Sequence, residues 1–311
     1  MKKKGNKTLW FFIVATGLFL LSVSPALPEQ IIIDSHDQFD FAHTLMERGE
    51  YMRALGEFER FIHFFPNDLQ VPKARLLTGV CYLKARRYEA AREIFSRVIR
   101  SEPDTPFSVK AIFLIGESYY QQGILKEAEV YFNKIIETYP DSDLKNAALY
   151  RLGWTRMQEN KWEDASEVFE KVEEDNLFYE SSRQLAVQSL KGEKLPHKNP
   201  ACAGSLAAIV PGLGHAYVSR YRDATVAFLV NGLFIWAAIE SFHHDQAVLG
   251  GMLTFLEVGW YSGNIYSAIN ATHKYNRKVQ NNFRGRLKDR LDLRLFTESK
   301  GRIGLSLAWA F

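Results

Sequence analysis

VKAIFLIGESYYQQGILKEAEVYFNKIIETYPDS, residues 109 to 142, reads as two amphipathic blocks around Gln121-Gln122-Gly123. Apolar residues recur at i, i+3, i+4 and i+7 in each block, which is a helical period, and the polar, glycine-ended break between them is a turn. The stretch predicts a helical hairpin. Pro140 ends its second helix, because proline cannot continue one.

Working outward, the same pattern returns every 37 residues. Pro66, Pro103 and Pro140 keep this step, as do Ala54, Ala91, Ala128 and Ala165. Phe58, Phe95, Phe132 and Phe169 form a third column, and Gly79, Gly116 and Gly153 a fourth. Gly116 and Ala128 are small where the two helices cross closely, and Phe132 fills the space between one hairpin and the next. Repeats of this length, each unable to bury its apolar face alone, stack into a solenoid.

Gly116, Tyr119, Ala128, Phe132 and Pro140 fall on the small, aromatic, alanine, aromatic and proline positions of the tetratricopeptide repeat, which this stretch resembles. The family period is about 34 residues; here the extra residues sit in the connecting loops PNDLQVP, PDTPFSV and PDSDLKN. The YPDS form followed by an Ala-rich helix is similar to repeats of periplasmic envelope proteins, such as the outer-membrane-assembly lipoprotein and the cell-division coordinator. The resemblance covers about 37 to 176. Copy one departs at Ala42, and copy four at Arg156 and Leu177. YESSRQLAVQSLK, 179 to 191, is expected to cap the array.

Such arrays expose a concave face built from their first helices, which takes up an extended or helical peptide. Lys84, Tyr120, Gln121, Arg151, Thr155 and Gln158 are the candidate partner-binding residues. The plain alternative for each is a solvated helix position. Cys81 reads as a small buried hydrophobe. With Cys202 it is too little for a disulfide framework or a metal site.

The chain begins with Lys2, Lys3, Lys4 and Lys7, then the apolar run 9 to 23, then Ser24-Pro25-Ala26. This predicts a secretory signal over 1 to 28, cleaved or kept as an anchor, and export of the repeats over 37 to 191. The lysine-rich start is bacterial in style. A net charge of +3 is too small to argue for nucleic acid.

After the polar linker 192 to 200, three apolar segments occupy 201 to 217, 224 to 239 and 247 to 269. They predict a small α-helical membrane domain over 201 to 275. The ESFHHDQ loop makes the last two segments a hairpin. Arg220, Arg222, His273, Lys274, Arg277 and Lys278 flank it, and the positive-inside rule puts these flanks in the cytoplasm. With the repeats exported, segment 201 to 217 must then cross as well, giving three spans; a re-entrant segment is the alternative. Pro211, Gly212, Gly214 and Tyr217 resemble a group of uncharacterised bacterial membrane modules with Pro-Gly-x-Gly-Gln-x-Tyr ahead of a transmembrane hairpin. His215 stands where glutamine is usual, and the resemblance carries no activity.

Glu257 is costly inside a membrane, and with His215, Asn231 and Asn264 it forms a candidate intramembrane polar cluster. The plainer reading is interhelical hydrogen bonding, with Gly259 and Gly263 permitting close approach within the hairpin or between copies in a homo-oligomer. His243-His244-Asp245 is weak as a metal site. No HExxH, GxSxG, Walker loop or CxxC is present.

The basic segment from 276 leads into RLDLRLFTESKGRIGLSLAWAF, where apolar residues alternate on both sides of a turn, predicting a β-hairpin. Its last ten residues resemble the assembly signal of outer-membrane barrels. The expected architecture is thus all-α: a helical-hairpin solenoid, a small membrane domain and a C-terminal β-hairpin. The expected function is a membrane-anchored periplasmic scaffold in cell-envelope assembly, non-enzymatic and without cofactors, that binds a protein partner. The alternative is an envelope-biogenesis or transport component whose polar cluster is the active part; an intramembrane hydrolase on Glu257 and His215 comes last.

Overall fold

In a computed structural model, the backbone is described for residues 33 to 297 and 303 to 309, and side chains for 33 to 288. The expected signal at 1 to 28 lies outside the described residues. Nine helices form the repeat region: α1 (Ser35–Glu47), α2 (Tyr51–Phe64), α3 (Val71–Lys84), α4 (Tyr88–Ser101), α5 (Pro106–Gln122), α6 (Leu125–Thr138), α7 (Lys145–Gln158), α8 (Trp162–Glu170) and α9 (Tyr179–Ser189). Each packs on the next, so contacts run along the chain as in a solenoid. The α9 helix, over the stretch expected to cap the array, follows α8 and packs on it.

The four sequence columns have physical causes. A Cβ placed on Gly116 would stand 2.8 Å from the Phe132 ring, and those on Gly79 and Gly153 would press harder still on Phe95 and Phe169. The glycines let each ring press close to the facing backbone, and Phe58, Phe95, Phe132 and Phe169 are all wholly buried. Copy one has Ala42 in place of the glycine, and Phe58 there leans edge-on against Phe39 with centroids 5.6 Å apart. Pro140 lies just past the end of α6, and Tyr139 between them has already left helical geometry.

A fifth column is conformational. Gly49, Arg86, Gly123 and Asn160 are one period apart and all have a left-handed backbone, with φ of 78°, 59°, 81° and 62°. Each sits just past the first helix of its hairpin. The next residue's N–H reaches back to a carbonyl five residues earlier, as from Glu50 to Leu45 and from Ile124 to Tyr119, both at 2.9 Å. This closes the helix in a Schellman turn. Glycine and asparagine suit it; Arg86 adopts the same conformation at some cost.

Beyond the linker come α10 (Pro200–Ile209), α11 (Leu213–Tyr217), α12 (Tyr221–His243) and α13 (Ala247–Arg290). The expected division at 275 is not there: α13 runs unbroken for 44 residues. Its distal half returns to the repeats, where Phe283 and Leu287 join the core of repeats three and four. Among the described residues, Tyr221–His243 is the one helix long and apolar enough to cross a membrane. The third apolar segment falls short of that measure, since Glu257 and Asn264 lie in it.

The three-span expectation needed 201 to 217 to run straight, and it does not. Pro211 and Gly212 reverse the chain, so the segment's two ends meet: Asn199 N–H donates to the Tyr217 hydroxyl at 3.2 Å, and Lys198 Nζ donates to the Tyr217 carbonyl. Past α13, Leu291–Thr297 and Ile303–Trp309 pair antiparallel, with Leu293 opposite Leu307. Their side chains are outside the described residues, and the architecture from Ser35 to Arg290 is wholly helical.

Candidate functional site: the concave face and the folded-back segment

The first helices α3, α5 and α7, which the sequence expects to line the concave face, contact one another in turn, and between α5 and α7 lies a buried ion pair. Arg151 Nε lies 2.8 Å from Glu117 Oε2, with side chains 5% and 3% exposed. A second guanidinium nitrogen donates to Oε1 at 3.2 Å, and Gln121 donates to the same oxygen at 2.9 Å. The guanidinium also lies over the Tyr120 ring, 5.1 Å from its centroid. The pair links repeats three and four across 34 residues.

The six candidates therefore differ in availability. Lys84 and Gln121 are exposed, and Gln158 is half-buried. Tyr120 and Arg151 are buried, so a partner meets them only through this network. Thr155 is wholly buried and donates its hydroxyl to the Arg151 carbonyl at 2.8 Å, so it presents nothing to a ligand. Cys81 is also wholly buried, which pushes its thiol up to about 12 and leaves it inert as a nucleophile.

The chain itself occupies part of this face. Tyr120, Trp154 and Gln158 share a cleft of about 220 Å³ with Asn281, Arg284, Gly285 and Lys288 of α13. Arg284 donates to the carbonyls of Met157 and Gln158 at 3.1 and 2.8 Å, and to Asn160 Oδ1 at 3.0 Å. These carbonyls lie at the end of α7, where a cation also meets the negative end of the helix dipole. Phe283 stands edge-on to Trp162 with centroids 5.7 Å apart. Arg284→Ala is expected to raise hydrogen exchange over α13 residues 280 to 288 by roughly tenfold or more, since charged hydrogen bonds contribute about 1.5–3 kcal/mol. Exchange unchanged by that substitution would mean the docking contributes nothing.

In the folded-back segment every motif residue has a structural task. Gly212 has φ of 91°, and a Cβ there would collide with the Ala224 carbonyl. A Cβ on Gly214 would strike the Ala203 carbonyl and stand 2.7 Å from Ala268 Cβ, so glycine lets α11 lie in the angle of α10 and α13. The Tyr217 ring carries Lys198 Nζ at 4.6 Å. Asn276, missed in the sequence, clamps the linker: it accepts from Lys198 N at 2.9 Å and donates to Lys198 O at 2.8 Å.

The polar cluster divides between two clefts. His215, whose Nε2 lies 3.1 Å from Ser267 Oγ, shares with Asn264 a cleft of about 560 Å³ between α12 and α13. Glu257 lines a neighbouring cleft of about 330 Å³ with Ile235, Phe242 and Thr254. Asn231 is wholly buried and turns its amide to the Ala227 carbonyl of its own helix. Both Glu257 oxygens and Asn264 Nδ2 have no hydrogen-bond partner among the described residues. His244 Nε2 lies 3.0 Å from Glu240 on its own helix, and Gly259 and Gly263 face open space.

Residues 39–106 and 82–143 match one tetratricopeptide-repeat profile, and 147–176 match another. The repeat region is a tetratricopeptide-repeat solenoid. Comparison with solved structures returns matches of low identity and low TM-score. MamA from Desulfovibrio magneticus RS-1 is 19% identical over 58% of this chain and 99% of its own, with a TM-score of 0.39. PilF of Pseudomonas aeruginosa is 14% identical over 78% and 97%, with a TM-score of 0.36. YrrB, described as a tetratricopeptide-repeat protein with an unusual peptide-binding site, is 19% identical over 51% and 84%, with a TM-score of 0.36. No curated protein matches the chain. Tetratricopeptide repeats as a class mediate protein–protein interaction.

Proposed function

We propose that this chain is a membrane-anchored scaffold of the bacterial envelope, whose repeats hold a protein partner beside the membrane without doing chemistry. The observation that carries this reading is an apolar band on α12 and the first half of α13. Val248 and Phe255 are 80% exposed, and Leu233, Trp236, Met252, Leu256, Val258 and Trp260 are exposed with them. Each such side chain left in water forgoes roughly 1.5–3 kcal/mol of burial. A bilayer is the solvent that covers such a band on every side of a two-helix hairpin.

The folded-back α10–α11 pair supports two spans, with the linker and the distal half of α13 on the side of the repeats. The export signal acts first in synthesis, and the first apolar segment usually dominates orientation. The repeats and the basic flanks then both face the periplasm, from the inner membrane. Lys84 and Gln121 lie on the part of the concave face left open for a partner. Gly259 and Gly263 offer a strip for a second copy, and the C-terminal strand pair offers an edge to a partner's sheet. The reading in which the polar cluster is the active part comes second, supported by the unpartnered Glu257 and weakened by its separation from His215.

Phosphatase fusions, active only outside the cytoplasm, test the arrangement. Activity is expected after both Glu193 and Phe311, with the chain in the membrane fraction and resistant to carbonate. Activity after Glu193 alone would restore three spans, and a fully soluble chain would overturn the anchor.

A further inference from the structure

We infer that the basic cleft beside the α11–α12 turn binds the phosphate of an anionic phospholipid headgroup; this rests on the membrane-anchored reading above. The cleft holds about 540 Å³, and Ser219, Arg220, Lys274, Tyr275, Lys278 and Asn282 line it. Three of these carry positive charge and none carries negative charge. Asp223 pairs with Arg220 from one turn further along α12, outside the lining, and offsets only part of that charge. Lys198 adds a fourth cation behind the Tyr275 ring, 5.5 Å from its centroid. Hydroxyl and amide donors from Ser219, Tyr275 and Asn282 stand among the cations, the mixture that phosphate oxygens accept from.

Position selects the source of that phosphate. On α13 the exposed apolar residues end at Tyr266, and Lys274 and Lys278 follow two and three turns later on one face. At 1.5 Å per residue the Lys274 backbone is about 12 Å beyond the band, just outside a headgroup layer about 5–7 Å thick, and its long side chain reaches back to that layer. Arg220 sits at the start of α12, at the same level. The positive-inside rule does not account for these charges, because the folded-back segment puts them on the side of the exported repeats. A lipid headgroup accounts for them, since each basic side chain near an anionic surface contributes attraction in its own right.

The test uses the full chain purified in a neutral detergent, titrated with phosphatidylglycerol or phosphatidylcholine, with retained lipid phosphorus measured after gel filtration. The unaltered chain is expected to retain phosphatidylglycerol over phosphatidylcholine. Lys274→Gln with Lys278→Gln, both exposed and helix-compatible, is expected to weaken that retention by roughly tenfold or more. Equal retention of the two lipids, or no loss in the double variant, overturns the inference. Soluble glycerol phosphate that competes as well as the lipid assigns the cleft to a free phosphate and overturns the lipid source. The membranes from which each variant is purified are scored for carbonate-resistant association: loss there sinks the anchor, whereas an anchored chain without lipid preference sinks only the headgroup site.

Discussion

Phe132→Ala is expected to lower the stability of the repeat region by about 3–5 kcal/mol, the cost of removing a fully buried aromatic ring. The ring is wholly buried, lies 5.7 Å from Phe113 centroid to centroid, and rests on the backbone of Gly116. Chemical denaturation of the full chain, followed through Trp154 and Trp162, reads the loss; Val130→Ala, at a position 63% exposed on the same helix, should stay within about 0.5 kcal/mol. The sharper form is a change of sign. Gly116→Ala alone should cost about 1–3 kcal/mol, because the added methyl drives the ring away. In the Phe132→Ala background the obstacle is gone, and the same substitution should stabilise by up to about 1 kcal/mol through helix propensity. Equal effects in the two backgrounds would refute the packing account of the glycine column.

Arg151→Met should cost a similar 3–5 kcal/mol, for an electrostatic reason. It leaves Glu117, 2% exposed, with Gln121 and the Lys84 charge nearby but without the guanidinium that meets both of its oxygens. Replacing both, as Glu117→Leu with Arg151→Met, should return stability to within about 2 kcal/mol of the starting protein, since a well-packed apolar pair often matches a buried ion pair. A double variant as unstable as Arg151→Met would show that the pair stabilises the array in itself. A stable double variant that no longer retains a protein partner would place the pair in recognition instead.

The solenoid was legible because its columns repeat side chains: Gly79, Gly116 and Gly153 need the same absent Cβ, so the same letter returns. The turn column was not legible, because Gly49, Arg86, Gly123 and Asn160 share a backbone angle and no side chain. The Glu117–Arg151 pair was hidden for a related reason, since the equivalent positions hold Val80, Trp154 and Leu114. Thr155 was misjudged because a threonine bonded to its own helix looks, in a string of letters, like one that faces solvent.

The apolar segments at 201 to 269 were found by composition, but composition does not say that Pro211 and Gly212 reverse the chain. That reversal turns on one carbonyl, that of Ala224, and on a glycine φ. The basic stretch after 275 looked like a separate tail because its charge changes; its helical period does not, and α13 carries on through it.

The unbroken α13 has a mechanical consequence. At 1.5 Å per residue it is a strut of about 66 Å, and from Tyr266 to Arg284 it spans about 27 Å. It fixes the stand-off of the concave face above the apolar band as well as its compass bearing. Phase is the sensitive quantity: one residue added between Thr272 and Asn282 lengthens the strut by only about 1.5 Å but turns everything beyond it by about 100°. Phe283 and Arg284 would then point away from Trp162 and the end of α7, so the length of this segment is constrained more tightly than the identity of most residues in it.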